Sequence, residues 1–247
     1  MSVLLITGAS RGIGAATARL AAERGYDVCV NFRADEGAAA AVVSEVRAEG
    51  RRAVAIQADV AREPDVVRLF DAVEQALGRV DGLVNNAGIL ERQMRVEQMD
   101  AARLERVFAT NVTGAFICAR VAVRRMSTRH GGSGGAIVNV SSRAAVLGAP
   151  GEYVDYAASK AAVDALTIGL SREVAGEGIR VNAVRPGIID TTIHASGGEP
   201  GRVARLGPQL PMGRGGDAAE VARAILWLLS EEASYTTGSF IDVGGGR

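Results

Sequence analysis

VLLITGASRGIG, residues 3–14, runs from a short apolar stretch straight into a glycine-rich turn. Residues 3–7 read as a buried strand, and the alanine-rich segment after Gly14, closing at Gly25, reads as a helix. Gly8, Gly12 and Gly14 therefore lie where a strand hands over to a helix. A helix N-terminus offers unpaired N–H groups and a favourable dipole to a diphosphate, and glycines let that ligand approach the backbone. The spacing is G-x-x-x-G-x-G, not G-x-G-x-x-G, so the position after the first strand carries more weight than the pattern.

Outward from this turn, apolar runs alternate with helical patterns. DVCVNF (27–32), AVAIQADV (53–60), VDGLVNN (80–86), AIVNVSS (136–142) and IRVNAVRPG (179–187) are further strands, with a last one in GSFIDVGGG. Helices are expected over 35–49, from Pro64 to about Leu77, broadly over 97–129, over 154–176 and over 217–230 with Asp217 as N-cap. HGGSGG (130–135) reads as a flexible connector, and residues 190–215 as a mobile substrate loop or lid. Continuous apolar strands alternating with helices imply a parallel sheet covered on both faces. The expectation is one α/β domain over 1–247, a Rossmann-like doubly wound sheet of about seven strands.

The chain has 28 basic and 28 acidic residues, which points away from nucleic-acid and membrane-surface binding. Cys29 lies in a strand-like run and Cys118 in a helical one, and both read as buried free thiols. With only two histidines there is no metal-ligand spacing, so no metal is expected. No leader pattern precedes the first strand and no apolar stretch approaches a membrane span, which together predict a cytoplasmic protein.

YAASK (156–160) places a tyrosine and a lysine four residues apart, hence on one helix face. Their ordinary pKa values, about 10 and about 10.4, make each a poor acid–base catalyst at neutral pH. Together they differ: an adjacent ammonium favours the phenolate. Lowering the Tyr156 pKa by about three units needs roughly 4 kcal/mol, within reach of close cations in a partly dry site.

These motifs resemble the short-chain dehydrogenase/reductase family along the whole chain. TGASRGIG matches its glycine turn, NNAG (85–88) its segment after the fourth strand, Asn111 in NVTG its helix asparagine, Ser142 and YAASK its catalytic segment, and RPGIIDT (185–191) its P-G-x-I-x-T segment. The resemblance implies that Tyr156 is general acid or base, that Lys160 lowers its pKa and binds the nicotinamide ribose, that Ser142 polarises the substrate oxygen and that Asn111 supports a proton relay. It also implies a dinucleotide held by Gly8, Ser10, Arg11, Gly12, Ile13, Gly14, Asn31, Arg33, Asp59, Val60, Asn86, Ala87, Gly88, Tyr156, Lys160, Pro186, Gly187, Ile189 and Thr191. Ser141 adjoins Ser142, but strand alternation sends the two to opposite faces. Tyr153 lacks a lysine four residues on and is assigned to packing or the substrate loop, while Ser159 is assigned to the far side of its helix.

At the end of the second strand the chain reads NFRADE. Phe32 stands where NAD-dependent relatives carry aspartate, and Arg11 and Arg33 can hold a 2′-phosphate, so NADP is expected over NAD. The plain alternatives are solvated arginines, with Asp35 and Glu36 close by, and Asp59 as a loop cap. The resemblance extends most to sugar-dehydrogenase-like, glucose-1-dehydrogenase-like and 3-oxoacyl-[acyl-carrier-protein] reductase-like members. It implies NADP-linked interconversion of a small alcohol (CH–OH) and its carbonyl, a sugar or 3-oxoacyl group among the candidates, by a homotetramer. His194, Glu152 and Arg143 are candidate substrate contacts, with a solvated His194 as the plain alternative. The rival class is a non-catalytic dinucleotide-binding sensor or scaffold of the same fold.

Overall fold

The computed structural model describes residues 2–247. The first half runs β1 (Val3–Ile6), α1 (Gly12–Glu23), β2 (Asp27–Phe32), α2 (Glu36–Ala48), β3 (Ala53–Gln57), α3 (Glu63–Leu77) and β4 (Val80–Asn85). Then come α4 (Ala101–Phe108), α5 (Gly114–Met126), β5 (Gly135–Val140), α6 (Ala144–Leu147), α7 (Val154–Val174) and β6 (Ile179–Pro186). The chain closes with β7 (Ile189–Asp190), α8 (Ile193–Ser196), α9 (Arg202–Leu206), β8 (Gly216–Asp217), α10 (Ala218–Leu229) and β9 (Phe240–Val243).

Seven strands pair in parallel in the order β3-β2-β1-β4-β5-β6-β9. The order reverses between β1 and β4, and in such sheets a crevice opens beyond the carboxyl ends of those strands. Both faces are covered. Leu4 and Ile6 of β1 enter one core with α1, α2 and α10, whereas Val3 and Leu5 enter the other with α3 and α5. This is the period-2 alternation of a strand buried on both sides. Cys29 and Cys118 are both buried and free, and burial pushes both thiols up, Cys118 to about 12.

Several expectations are corrected. The third strand ends at Gln57 rather than 60, because the Asp59 carboxylate accepts the Ala61 N–H at 3.0 Å and turns the chain. The region 97–129 is not one helix: a 3₁₀ turn precedes α4, a π turn (Ala109–Thr113) separates it from α5, and a further 3₁₀ turn follows. The helical run Ala101–Met126 does have the length and mean hydropathy of a membrane span, contrary to expectation. Its Cys118, Val121, Ala122 and Met126 pack in the core instead.

HGGSGG is a packed crossing rather than a flexible connector. A Cβ on Gly134, at φ 82°, would sit 2.4 Å from the Gly178 carbonyl oxygen, so the glycine permits close approach. Residues 190–215 are likewise structured. They carry α8 and α9, and β7 pairs with β8 in a two-stranded parallel ribbon that the sequence does not announce. The segment is tied down by Arg202, which bridges Glu152 at 2.5 Å and Glu199 at 2.8 Å, and by the Tyr153 hydroxyl, which donates to the Gly197 carbonyl at 3.2 Å.

Candidate active site

A cleft of about 340 Å³ lies beyond the carboxyl ends of β1 and β4. It is lined by the glycine turn, the ends of β2 and β3, residues 86–90, the start of α7 and the 186–194 segment. Nearly every residue assigned to the site from sequence reaches this wall: Gly8, Ser10, Arg11, Gly12, Ile13, Asn31, Arg33, Asp59, Val60, Asn86, Ala87, Gly88, Ser142, Tyr156, Lys160, Pro186, Gly187, Ile189 and Thr191. Gly14 and Asn111 stand behind it.

The glycine turn is built for close approach. Gly8 and Gly12 have φ of 61° and 57°. A Cβ on Gly14 would lie 2.5 Å from Asn86 Nδ2, 2.8 Å from the Gly8 oxygen and 2.9 Å from Ala9 Cα. Arg11, the N-cap of α1, supplies no side-chain cap, so the first N–H groups of the helix have no side-chain acceptor. Asn31 and Asn86 line the cleft and also hold the turn. Asn31 accepts the Gly8 N–H at 3.2 Å and donates to the Ile56 and Ala58 carbonyls, and Asn86 donates to the Thr7 and Gly8 carbonyls at 2.8 and 3.0 Å. Thr7, not singled out from sequence, accepts the N–H groups of Asn86 and Ala87 at 3.0 Å each.

At the far end of the turn, Arg11 and Arg33 are exposed and neither is paired with a carboxylate among the described residues. Phe32 is buried in the core. The nearby Asp35 is engaged, accepting the Ala38 N–H at 2.9 Å as the cap of α2.

The catalytic candidates meet around Tyr156. Tyr156 and Ser142 line the cleft together, and the Lys160 ammonium lies 5.7 Å from the Tyr156 ring centroid and donates to the Val140 carbonyl at 2.8 Å. Ser141 turns the other way and donates to the Lys160 carbonyl at 3.2 Å. Asn111 sits in the π turn, where an extra residue re-aims a side chain, as such turns often do at functional sites. It accepts the Ile89 N–H at 2.8 Å and donates to the Ile89 carbonyl and Ser159 hydroxyl, each at 3.0 Å. Ser159 is thus buried on the far side of α7, as expected, yet fixes Asn111.

Burial governs both titrating groups. It pushes Tyr156 up to about 12, against the pull of the Ser142 hydrogen bond. It brings Lys160 down to about 8, against the Asp164 carboxylate. The lowering of Tyr156 expected from Lys160 is therefore not produced by the protein's own groups alone. A stability signature follows. Between pH 8 and 10.5 the unfolded chain holds a lysine proton that the folded chain has released, so stability rises with pH in that window. Wild type is expected to gain about 2–3 kcal/mol there relative to Lys160→Met, read as the difference in urea midpoints at pH 7.5 and 10, which cancels the shared thiol and tyrosine terms.

His194 is buried rather than solvated, with Nε2 2.8 Å from the Ile189 carbonyl. Burial holds its pKa below the ordinary value, and Nδ1 has no partner. Glu152 pairs with Arg202, and Arg143 pairs with Asp242 and donates to the Arg247 carbonyl at 2.6 Å. Arg202, 4% exposed, was missed because its partner Glu152 is 50 residues away and no local pattern marks either.

A parallel sheet with this crevice, glycine turn and Ser–Tyr–Lys grouping defines a dinucleotide-fold oxidoreductase. The profile described as Enoyl-(Acyl carrier protein) reductase matches residues 8–247. The chain belongs to the short-chain dehydrogenase/reductase family and is an oxidoreductase of that family. It is 58% identical over 247 residues, all of both chains, to the "Uncharacterized oxidoreductase YgfF" of Escherichia coli. It is 40% identical to 3beta-hydroxysteroid dehydrogenase 1 of Eggerthella lenta, over 98% of this chain and 92% of that one. A short-chain dehydrogenase from Burkholderia cenocepacia solved with NADP superposes with a TM-score of 0.90 at 33% identity, covering 99% and 97% of the two chains. A 3-ketoacyl-(acyl-carrier-protein) reductase from Brucella melitensis solved with NADH gives 0.91 at 32%, covering 100% and 98%.

Proposed function

We propose that this chain is an NADP(H)-dependent reductase and dehydrogenase that interconverts an uncharged carbonyl compound and its alcohol, with Tyr156 moving the proton. The observation that carries this is the convergence of Tyr156, Ser142 and Lys160 on the cleft that the glycine turn also lines. The bound nicotinamide supplies or accepts the hydride. Tyr156 donates its phenolic proton to the substrate oxygen in reduction and takes it back in oxidation, and Ser142 orients that oxygen. Lys160 restores the proton to Tyr156 and holds the nicotinamide ribose. Asn111, fixed by Ile89 and Ser159, supports the route that resupplies Lys160.

The turn 8–14 with Asn86, Ala87 and Gly88 would hold the diphosphate and nicotinamide ribose, Asp59 and Val60 the adenine, and Arg11 and Arg33 the 2′-phosphate. Two unpaired guanidiniums with Asp35 committed to a helix cap favour the phosphorylated dinucleotide. At the substrate end the charges are matched instead: Arg202 with Glu152 and Glu199, Arg205 with Glu199, Arg143 with Asp242. With Leu90, Leu147 and Ile193 beside them, this wall suits an uncharged substrate, a 3-oxoacyl ester or a sugar being consistent with it.

Fluorescence titration tests the cofactor. NADPH is expected to bind at least about tenfold more tightly than NADH, a difference of about 1.4 kcal/mol. The double change Arg11→Ala, Arg33→Ala is expected to abolish that preference by weakening NADPH alone. NADH binding that equals or exceeds NADPH in wild type overturns the assignment. A panel of neutral ketones, 3-oxoesters and sugars with NADPH, each beside a carboxylate analogue, tests the reaction. Turnover of the carboxylates in preference to the neutral compounds overturns the substrate class. A homotetramer belongs to the same reading, supported by exposed Leu104, Phe108, Phe116 and Ile168 on α4, α5 and α7. A monomer mass by light scattering would overturn that part.

A further inference from the structure

Tyr156 stands in the first turn of α7, and the start of that helix lacks a side-chain cap. Its N-cap, Tyr153, offers no side-chain hydrogen bond to the open N–H groups. The loop before it holds Ala149 at φ 45°, a left-handed conformation that a residue with a Cβ adopts only under constraint. First turns fray without a cap. Inside the turn the Ser159 hydroxyl donates to the Tyr156 carbonyl at 2.7 Å, and a second anchor comes from outside the helix.

One residue before Tyr156, Asp155 is 4% exposed and forms a two-point ion pair with Arg103 of α4, itself 3% exposed. Arg103 Nε donates to Asp155 Oδ2 at 2.7 Å and Nη2 to Oδ1 at 3.2 Å. Nη1 donates to the Arg92 carbonyl at 2.6 Å, and the backbone N–H of Arg103 is capped by Asp100 at 2.7 Å. One guanidinium thus joins α4, the first turn of α7 and the 89–95 segment, whose Ile89 and Leu90 line the cleft. The fork geometry suits arginine and no other cation.

We infer that Arg103 and Asp155 are positioning residues for Tyr156: the buried pair fixes the first turn of α7 and, by cancelling its own charges, leaves the phenol's acidity to the site. This rests on Tyr156 being the proton donor. Neither residue touches the cleft, so both act through the tyrosine. A buried pair that loses one partner exposes the other's charge to its surroundings. The two single changes therefore push in opposite directions. Asp155→Asn leaves a bare guanidinium near Tyr156 and favours the phenolate; Arg103→Met leaves a bare carboxylate and disfavours it. The remaining charged neighbours stay constant across the variants: Lys160 and Asp164 on α7, and Arg185 from β6, which pairs with Asp164 at 2.9 Å. From the loops, so do Glu152, Arg143, His194 and Arg202.

The test is the pH profile of alcohol oxidation for Asp155→Asn, Arg103→Met, Arg103→Lys and the apolar double change Arg103→Met, Asp155→Leu, which removes both charges together so that the fold is kept. NADPH binding by fluorescence is measured on each. The inference predicts NADPH affinity within about threefold of wild type throughout. It predicts kcat lowered about 10- to 100-fold in the double variant, the scale of a small misplacement of a catalytic group. The alkaline-rising limb moves to lower pH in Asp155→Asn and to higher pH in Arg103→Met, and Arg103→Lys recovers only part of kcat. A double variant with wild-type kcat and profile overturns the inference, as do single variants whose limbs do not move. Tyr156→Phe is run alongside: wild-type turnover there overturns the proposed function itself, and this inference with it.

Discussion

Tyr156→Phe is expected to lower kcat about 10³-fold, equivalent to about 4 kcal/mol of transition-state stabilisation, while NADPH binding is kept. The substitution removes one oxygen, and with it the proton that the substrate oxygen needs. It leaves Lys160 on the Val140 carbonyl and Asn111 on Ile89 and Ser159, because none of those bonds uses the phenol. The Ser142 hydroxyl keeps the Ala144 N–H, which it accepts at 3.1 Å. Steady-state rates beside NADPH titration separate the two expectations. A variant that binds NADPH normally and turns over at the wild-type rate would remove Tyr156 from the chemistry. If wild type itself reduces no carbonyl in a broad panel yet binds dinucleotide, the reading of the fold as a sensor takes its place.

Gly14→Ala is expected to cost about 1–3 kcal/mol of stability and to weaken NADPH binding at least about tenfold. The new methyl meets Asn86 Nδ2, the Gly8 carbonyl and Ala9 Cα, all at 2.9 Å or less. Two of these contacts are backbone and the third is an amide already spent on holding the turn, so none can step aside cheaply. The glycine turn must shift, and the room for the diphosphate goes with it. Gly37→Ala is the control, since a methyl there meets nothing nearer than Asp35 Oδ1 at 3.9 Å. Its melting temperature and NADPH affinity are expected to stay near wild type. Equal behaviour of the two variants would show that the turn has slack.

Much of this architecture can be read along the chain because the central strands are buried on both faces. DVCVNF is found at Asp27–Phe32 with both ends correct: every residue of it is buried, and Asp27 is anchored by Arg51 and Arg52 where the strand begins. The cleft residues follow because strand ends and a glycine turn place them together whatever their side chains do. What those side chains do is less legible. Asn31 and Asn86 line the cleft, and their amides also bond backbone carbonyls just past the ends of neighbouring strands, which no local pattern announces. The π turn at Asn111 adds one residue within a helical pattern and leaves no mark in a 3.6-residue period. The β7–β8 ribbon and the Arg202–Glu152 bridge join segments with no shared periodicity, and a glycine- and proline-rich stretch reads as mobile when its order comes from such distant partners.

The Arg202–Glu152 bridge bears on how this enzyme could be given a different substrate. Residues 149–153 and 193–202 both shape the substrate end of the cleft, and they are stitched together by that bridge and by Tyr153 against Gly197. A foreign loop grafted at 193–202 alone would leave Glu152 without its guanidinium, and one grafted at 149–153 alone would leave Arg202 with Glu199 as its only carboxylate. Under the proposed substrate assignment, specificity would be moved best as a two-piece cassette, with both segments exchanged from the same donor.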